Sequence, residues 1–542
     1  MTANANRDPS LPWSTRGHNL AHFLTRNARR LPDLPALIQD QTVITWAQLD
    51  KTVTALAQAM VTKFNMEPGD RVLVQSSNCF EMTEVMLACW RAGLVWVPSN
   101  YRQSPDEVAY LSVKSQARLM VCHEDFPEHA TACCAANPSL NDVICIGDGF
   151  GTPITTLYDL AENTLPVIAP NADVDRDDPA WLFFTSGSTG RPKAVVLTHG
   201  QLTFTTLNHL NDLMPATTPS KDMSLVVAPL SHGAGMHQLA QIAAGVGSVL
   251  MPAGRFDPAD AWRLIETHRV TNMFTVPTIV KMLTEHQAVE TYDHSSLRYV
   301  IYAGAPMYRA DQKHAIRALG PVLVQYFGLG EVTGAITVLP REDHHLDDAH
   351  ARVGTCGYER TGVHVAIQSD TGVTVAPFET GEICVAGPAV CAGYYNDPDA
   401  NEKAFRNGWF LTGDLGHMDD QGYVYITGRA SDMYISGGSN VYPREIEEHL
   451  LTHPCVSEVA ILGIPHPKWG EVGLAVIVAP DGISAPSAAE LAAHIGDQLA
   501  SYKHPHRYIF LSEMPKSGYG KITKKLVRET LQQQGLWPTD PQ

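Results

Sequence analysis

The stretch from Thr185 to Lys193 contains the residue types that most clearly suggest chemistry in this chain. It follows the apolar residues Trp181 to Phe184 and consists of Thr185, Ser186, Gly187, Ser188, Thr189, Gly190, Arg191, Pro192 and Lys193. Glycines allow tight backbone turns, and hydroxyls with two cations can surround an anion, so this composition suits a polyphosphate. A Walker loop requires glycine directly before its lysine, and Pro192 excludes that pattern. A flexible surface linker is the alternative interpretation.

Four further segments combine glycines with aromatic and single charged residues. They are, in chain order, Gln325 to Glu331, Gly408 to Asp414, Gly428 to Pro443, and Pro515 to Ile522. Together with Thr185 to Lys193, they resemble the motifs of the adenylate-forming enzymes, a family that includes acyl-CoA synthetases, luciferases and peptide-synthetase adenylation domains. The resemblance covers nearly the whole chain and favours the acyl-CoA synthetase branch.

This resemblance implies an ATP-dependent carboxylic acid:CoA ligase that works in two half-reactions. In the first, a carboxylate oxygen attacks the α-phosphorus of ATP and pyrophosphate leaves; in the second, CoA displaces AMP. The first step brings two anions together, so the site must stabilise the charge that spreads in the transition state. Hydroxyls, backbone amides, Mg²⁺ and one mobile lysine can do this. The implied cofactor is Mg²⁺, with ATP and CoA as co-substrates.

The resemblance also assigns roles to individual residues. It implies catalytic roles for Lys521, Glu331 and His232. It also implies that Glu331 and Thr185 bind Mg²⁺, a hard cation that prefers oxygen ligands. ATP binding falls to Thr185, Ser186, Gly187, Ser188, Thr189, Gly190, Lys193, Gly304, Ala305, Phe327, Gly328, Asp414 and Arg429. Phe327, where the family usually has Tyr, would stack on adenine. Taken singly, each of these residues could instead have a structural role: Phe327 could be a core residue, Glu331 a carboxylate at a helix N-terminus, and Asp414 a turn residue.

The C-terminal unit has two implied tasks. Lys521, on a glycine-containing loop, would act in adenylation, and after a domain rotation Gly437 and Gly438 would face the thiol, because the absence of a Cβ allows a pantetheine chain to approach closely. Trp469 resembles a position that contacts CoA in some aryl-CoA ligases. A packing role for Trp469 is equally open, as is a purely structural role for His232.

The implied acyl pocket lies between Pro229 to His237, Tyr302 to Pro306, and the stretch after Phe327. Its assigned residues are His237, Ala303 and Gly330. These stretches contain no Arg or Lys that could pair with a second carboxylate. They therefore favour a neutral, apolar fatty or aryl acid of modest length.

Two positions depart from the family pattern. Gly330 stands where the family usually has a Thr, so a neighbour such as Thr333 would have to supply the missing hydroxyl. Ser431 stands at the hinge position, which is usually Asp or Lys. Because of these two differences, the family pattern does not define the details of phosphate contact and of domain rotation in this chain.

The elements that position these residues can also be predicted. The alternation of helical and strand patterns predicts parallel βα layers in two halves, before Ala136 and after Ala180, with a small β-rich unit from Gly354 to Gly428. Predicted helices are Asp50 to Phe64, Phe80 to Arg91, Pro258 to His268, Pro443 to Leu451 and Ala488 to Leu499. Predicted strands include Arg71 to Gln75, Val95 to Pro98, Trp181 to Phe184 and Leu297 to Tyr302. We predict an α/β fold with a large N-terminal domain, residues 1–429, and a small mobile α+β C-terminal domain, residues 430–542.

Length and charge limit the classes of partner. A chain of 542 residues is too long for a single hydrophobic core, so more than one domain is expected. Its 57 acidic and 39 basic residues give a formal charge of −18. Such a field repels nucleic acids and anionic lipid. No apolar run reaches the roughly 18 residues that span a bilayer, the N-terminus lacks a secretory pattern, and the ten cysteines suggest neither disulfides nor zinc. We expect a cytoplasmic protein without nucleic-acid partners or stable membrane insertion; a homodimer is open.

Two other function classes compete with the CoA ligase. One is an adenylating enzyme that passes its acyl group to a carrier protein or another acceptor. The other is a non-catalytic nucleotide-binding relative. The charged residues Glu331, Asp414, Arg429 and Lys521 are all retained, which argues against the second alternative.

Overall fold

The computed structural model describes residues 17–158, 171–185, 191–254, 256–305, 307–429, 431–480, 482–516 and 522–538. These residues form three β-sheets with flanking helices. Two large sheets build the N-terminal part of this mixed α/β protein, and a small sheet with its helices builds the C-terminal part. In the described residues, no helix combines the length and apolar character needed to cross a bilayer.

The first sheet has seven strands and contributes Thr185 to the site. Its strands are, in spatial order, Thr152–Pro153, Asp142–Ile146, Leu119–His123, Arg71–Gln75, Val95–Pro98, Pro179–Thr185 and Lys193–Thr198. All neighbours are parallel except the last pair, which is antiparallel. The antiparallel pair forms the two sides of the Thr185 to Lys193 segment. Residues 186–190 between them are outside the described part of the chain.

The second sheet has fourteen strands and contributes most of the other site residues. Its spatial order is His364–Gln368, Gly381–Ala386, Trp409–Met418, Tyr423–Arg429, Thr355–Glu359, Thr337–Leu339, Leu323–Phe327, Tyr299–Tyr302, Asn272–Thr275, Met223–Val226, Gly247–Leu250, Pro35–Gln39 and Thr42–Thr45, with Phe405–Arg406 beside Trp409–Met418. Leu323–Phe327 through Pro35–Gln39 are parallel. The β-rich stretch therefore extends this sheet and has no separate sheet of its own.

Helices cover these sheets, and local capping explains where several of them begin and end. The helices are His22–Arg30, Trp46–Thr62, Phe80–Arg91, Pro105–Ser115, Pro127–Ala136, Thr155–Tyr158, His199–Asp212, Gly233–Ala244, Pro258–His268, Pro277–Glu285, Arg309–Leu319 and Pro398–Ala404. The helix predicted to begin at Asp50 begins four residues earlier, at Trp46. Thr45 caps it: the Thr45 hydroxyl accepts a hydrogen bond from the Gln48 N–H, and the Gln48 side chain accepts one from the Thr45 N–H.

One buried core joins the two large sheets. Trp96 and Trp181, from adjacent strands of the first sheet, pack at 4.5 Å between ring centroids, and the same cluster includes Phe274 and Tyr326 from the second sheet. Because rings from both sheets belong to one core, the two sheets pack against each other, and they also meet at the carboxyl ends of the strands that precede Thr185 and Glu331. That edge carries the site residues, as expected for parallel α/β sheets.

The C-terminal part has a sheet of its own. Its strands are Ser439–Val441, Tyr434–Ser436, Gly470–Val478 and Glu458–His466, with Arg507–Leu511 parallel to Gly470–Val478, and its helices are Pro443–Leu450, Ala488–Ile495 and Lys524–Gln533. The helix predicted to reach Leu499 ends at Ile495, where Gly496 has a φ of +32° and a short 3-10 turn follows. The sheet begins after Arg429; the domain boundary between residues 429 and 430 stays a prediction.

Candidate active site

The two residues assigned to Mg²⁺ binding meet where the two large sheets approach each other. Thr185 ends the strand Pro179–Thr185, and Glu331 lies in the 3-10 turn Gly330–Val332, just after Leu323–Phe327. The Thr185 hydroxyl donates to Glu331 Oε1 at 2.9 Å. A carboxylate and a hydroxyl are the oxygen donors that Mg²⁺ prefers, so this pair fits the implied cation.

A tyrosine that sequence reasoning missed lies against the same carboxylate. The Tyr394 hydroxyl donates to Glu331 Oε1 at 3.1 Å, and the Lys193 ammonium lies 4.8 Å from the centre of the Tyr394 ring. Tyr394 is 63 positions from Glu331 in the chain, and an isolated β-bridge to Val195 brings it there. No local pattern indicates such a long-range contact.

Part of the predicted site is outside the described residues. This applies to Ser186, Gly187, Ser188, Thr189 and Gly190 of the proposed phosphate loop and to Lys521. Their assigned roles stay predictions from the sequence.

Residues assigned to ATP binding, together with Ala303 of the assigned acyl pocket, lie at the ends of neighbouring strands. Ala303, Gly304 and Ala305 follow Tyr299–Tyr302, and Phe327 ends the adjacent parallel strand Leu323–Phe327. Gly304 is exposed and has a φ of +86°, a left-handed conformation that favours glycine. Gly328 presses on the backbone of Gly334, where a Cβ would come within 2.3 Å. Position 328, directly after Phe327, therefore accepts only a residue without a side chain.

The pair assigned to the ribose hydroxyls is formed across two antiparallel strands. Asp414 and Arg429 are directly opposite each other in Trp409–Met418 and Tyr423–Arg429. The Arg429 Nε donates to Asp414 Oδ1 at 3.0 Å, with Asp414 buried and Arg429 about half exposed. The buried carboxylate is therefore oriented by a cation that still faces solvent.

Phe183 explains why position 330 is glycine. A Cβ on Gly330 would lie 2.6 Å from the Phe183 ring, and the same ring packs edge-on against His232 at 5.1 Å. Phe183 thus occupies the space that a threonine at position 330 would need. The His232 ring is fixed further by a hydrogen bond between its Nδ1 and the Ser231 hydroxyl at 2.8 Å.

Thr333 does not replace the missing hydroxyl in this structure. Its side chain is buried, and its oxygen lies 3.2 Å from the Ala389 carbonyl and also contacts the hydroxyl of Thr205. The hydroxyl is therefore bonded within the core.

The hinge residue Ser431 makes a local contact, in which its hydroxyl donates to Asp432 at 3.1 Å.

His237 belongs to a buried hydrogen-bond network. Its Nδ1 lies 3.0 Å from His209 Nε2, and its Nε2 lies 2.9 Å from Asn272 Oδ1 and 3.1 Å from the Ser224 hydroxyl. Burial lowers the pKa of His237 to about 4. Both ring nitrogens are already engaged, so the geometry favours a role in shaping the pocket wall, with the imidazole neutral.

Two buried histidines, His237 of this network and His344 elsewhere in the core, predict a loss of stability in mild acid. Burial lowers the pKa of His237 and of His344 to about 4, whereas an unfolded histidine titrates near 6.5. The unfolded state therefore binds more protons as the pH falls from about 6.5 to about 4, and each such histidine removes about 2 kcal/mol by pH 5. We expect the contribution of these two histidines to the free energy of unfolding, measured with denaturant, to be constant above pH 7 and to fall below it.

His237→Gln should reduce the slope of that pH dependence, whatever it does to stability at pH 7. The exposed His364 supplies the control, because His364→Gln should leave the slope unchanged. An identical slope in the His237 variant and the unmodified protein would contradict the network's role.

The proposed CoA-facing residues lie together in the C-terminal sheet. Gly437 and Gly438, with φ of +58° and +84°, form the two-residue turn between Tyr434–Ser436 and Ser439–Val441. The Gly437 N–H donates to the Trp469 carbonyl at 2.8 Å, and a Cβ on Gly437 would lie 3.1 Å from the indole ring. Trp469 is 41% exposed, and the Lys468 ammonium lies 4.6 Å from its ring centre.

Comparisons with known proteins place the chain among related sequences and structures. The AMP-binding enzyme family model matches residues 24–395, and the model of the AMP-binding enzyme C-terminal domain matches residues 445–521. The chain is 35% identical over 513 residues to a feruloyl-CoA synthase from Amycolatopsis sp, covering 95% of this chain and 99% of the relative.

Two further similarities extend the range of relatives. The chain is 32% identical to a 2-succinylbenzoate–CoA ligase of Bacillus velezensis, covering 94% of this chain and 97% of that protein. Among solved structures, the amide bond synthetase McbA from Marinactinospora thermotolerans superposes with a TM-score of 0.84 at 27% identity, covering 94% and 99% of the two chains.

Proposed function

The chain belongs to the AMP-binding enzyme family, as an acid–thiol ligase of the acyl-CoA synthetase branch, and we propose that it works in two ATP-dependent half-reactions. In the first, an oxygen of the acid attacks the α-phosphorus of ATP, forming acyl-AMP and releasing pyrophosphate. In the second, the CoA sulfur attacks the acyl carbon, the thiol proton is lost, and AMP leaves with the bonding electrons.

The observation that carries the first half-reaction is the cluster of Thr185, Glu331, Tyr394 and Lys193. Thr185 and Glu331 are the residues that would hold Mg²⁺, which neutralises phosphate charge when bound. Lys193 supplies a cation beside them, on the strand that follows the proposed phosphate loop. Asp414 with Arg429 would bind the ribose, Phe327 would stack on adenine, and His232 would lie near the acid's carboxylate.

The second half-reaction is proposed for the C-terminal unit. Rotation of this unit would withdraw Lys521 and bring the turn at Gly437 and Gly438 to the acyl-AMP. Trp469 touches Gly437, so the turn and the exposed indole form one surface. Such a surface could hold pantetheine at the glycines and the adenine of CoA on the indole.

We propose a mainly apolar aryl or fatty acid of modest length as the substrate. Phe183 lies edge-on against His232, a Cβ on Gly233 would meet the Phe274 ring at 2.6 Å, and Phe274 stacks on Tyr326 at 5.8 Å. These aromatic rings lie on the side of the fold where His232 is proposed to meet the acid's carboxylate. The names of the feruloyl and 2-succinylbenzoate relatives favour an aryl acid.

A buried arginine lies behind these rings and was not found from the sequence. The Arg360 guanidinium lies 5.7 Å from the Tyr326 ring centre, and its Nε is 3.9 Å from Asp212 Oδ2. Among the described residues, Nε and Nη2 of Arg360 have no hydrogen-bond partner, so Asp212 compensates this buried charge only loosely.

A pyrophosphate-release screen over fatty, aryl and keto acids, with and without CoA, tests the proposal. Formation of a thioester that requires free CoA supports the CoA ligase. Pyrophosphate release with acyl transfer to an amine or to a carrier protein would instead support the class with an alternative acceptor. The similarity to the amide bond synthetase McbA is the reason to test this class. No metal-dependent pyrophosphate release with any acid would exclude both.

Trp469→Ala should raise the KM for CoA roughly five- to hundredfold while leaving the KM for ATP unchanged, because base–aromatic stacking contributes about 1 to 3 kcal/mol. Steady-state kinetics with each substrate varied in turn make the measurement. Tyr502 is a matched control, since it is also an exposed aromatic side chain next to a lysine, at 43% exposure. A large fall in melting temperature without a selective effect on CoA would assign Trp469 to packing.

A further inference from the structure

Glu331 and Lys193 carry opposite charges on either side of one tyrosine. The Tyr394 hydroxyl donates to Glu331 Oε1 at 3.1 Å, and the Lys193 ammonium lies 4.8 Å from the ring centre of the same residue. Among the described side chains, Lys193 and Glu331 do not form an ion pair with each other. The tyrosine therefore contacts both charges, and the charges do not contact one another.

We propose that Tyr394 is a positioning residue that keeps Glu331 and Lys193 apart and ready for the metal–nucleotide complex. This inference rests on the proposed function, because it takes Glu331 as a metal ligand and Lys193 as a phosphate-binding cation. A direct ion pair would satisfy both groups internally, and nucleotide would then have to break that pair. The hydroxyl instead satisfies one carboxylate oxygen, while the ring face attracts the ammonium.

The backbone around Tyr394 is held firmly enough for this task. Its N–H donates to Asn401 Oδ1 at 2.7 Å, and the Asn401 side-chain amide donates to the Tyr394 carbonyl at 3.1 Å. The neighbouring Tyr395 N–H donates to the Ala194 carbonyl at 2.8 Å, next to Lys193. The Cys391 N–H donates to the Glu331 carbonyl at 2.7 Å. This short segment thus connects the strand of the cation to the turn of the carboxylate.

The hydroxyl and the ring can be tested separately. Tyr394→Phe keeps the ring but removes one of the two donors to Glu331 Oε1, so we expect about a tenfold higher Mg²⁺ concentration for half-maximal pyrophosphate release. ATP binding without metal, measured by calorimetry, should stay within about twofold of the unmodified protein. Tyr395→Phe is the matched control, since its hydroxyl bonds to Gln116 away from this cluster.

Removing the ring as well should allow Lys193 to pair with Glu331. Tyr394→Leu is therefore expected to weaken metal-free ATP binding about tenfold. In the Glu331→Gln background, which removes the competing negative charge, the same Tyr394→Leu substitution should have almost no effect on that binding. Calorimetry on the four proteins of this cycle gives a readout that does not depend on turnover, and melting temperatures check that each variant is folded.

Two outcomes would overturn the inference. One is an equal loss of ATP binding for Tyr394→Leu with and without the Glu331→Gln change, since the loss would then not come from a competing ion pair. The other is an unchanged Mg²⁺ requirement in Tyr394→Phe. If the unmodified protein neither binds ATP nor releases pyrophosphate, the proposed function itself fails, which is a different result.

Discussion

Lys521→Ala is expected to slow acyl-AMP formation about a hundredfold to a thousandfold while sparing thioester formation from supplied acyl-adenylate. A charge-assisted contact made only in the transition state has an effect of this size when it is removed. Lys521 lies outside the described residues, and its proposed role rests on its place in the motif Pro515 to Ile522. The two half-reactions should therefore separate in this one variant.

The neighbouring lysines should not replace Lys521. Lys516 pairs with Glu458 at 2.5 Å, and Lys524 is bound to Glu447, which also accepts from the Ile461 N–H at 2.8 Å. Both side chains are thus held within the C-terminal unit, on either side of Lys521 in the chain.

Pyrophosphate release and the conversion of added acyl-AMP to acyl-CoA are the two measurements. Lys525→Ala is the matched control, because Lys525 is in the same tail, is 62% exposed at its side chain and pairs only loosely with Glu529 at 3.8 Å. Equal losses of the two half-reactions in Lys521→Ala would contradict the assignment.

Local sequence patterns predicted the elements well wherever local physics decides the structure. The strands Arg71–Gln75 and Val95–Pro98 and the helices Phe80–Arg91 and Pro258–His268 have the predicted bounds. Their apolar periodicity and flanking turns are properties of short segments. The family and the α/β fold were also predicted correctly, because five ordered motifs are spread over most of the chain.

Contacts between distant segments could not be predicted in the same way. Nothing near Tyr394 in the sequence indicates that its hydroxyl reaches Glu331. Likewise, the absence of a side chain at Gly330 is explained by the side chains of Phe183 and Thr185, which come from the other large sheet. His237 was placed in the acyl pocket by its segment, but its partners His209 and Asn272 come from two other elements. These features depend on how the two sheets pack.

Gly437→Leu or Gly438→Leu should impair the CoA step about a hundredfold while sparing acyl-AMP formation. Both glycines have left-handed φ angles, +58° and +84°, which branched residues rarely adopt, and at Gly437 a Cβ would also press on the Trp469 ring at 3.1 Å. The substituted turn would therefore shift, and a displacement of about 1 Å in a positioning element can cost about a hundredfold in rate.

Backbone strain alone must be separated from an effect on the thiol's path, and Gly482 makes this possible. Gly482 has a φ of +75° and, like Gly438, has open space where a Cβ would be added. Gly482→Leu should therefore show a loss of melting temperature similar to that of Gly438→Leu, because both place a branched residue in the same backbone conformation. It should retain the CoA step, because Gly482 lies in the loop after Gly470–Val478, outside the turn formed by Gly437 and Gly438. If Gly438→Leu instead stops pyrophosphate release and still converts supplied acyl-AMP, the turn acts in adenylation, and its proposed place facing CoA is wrong.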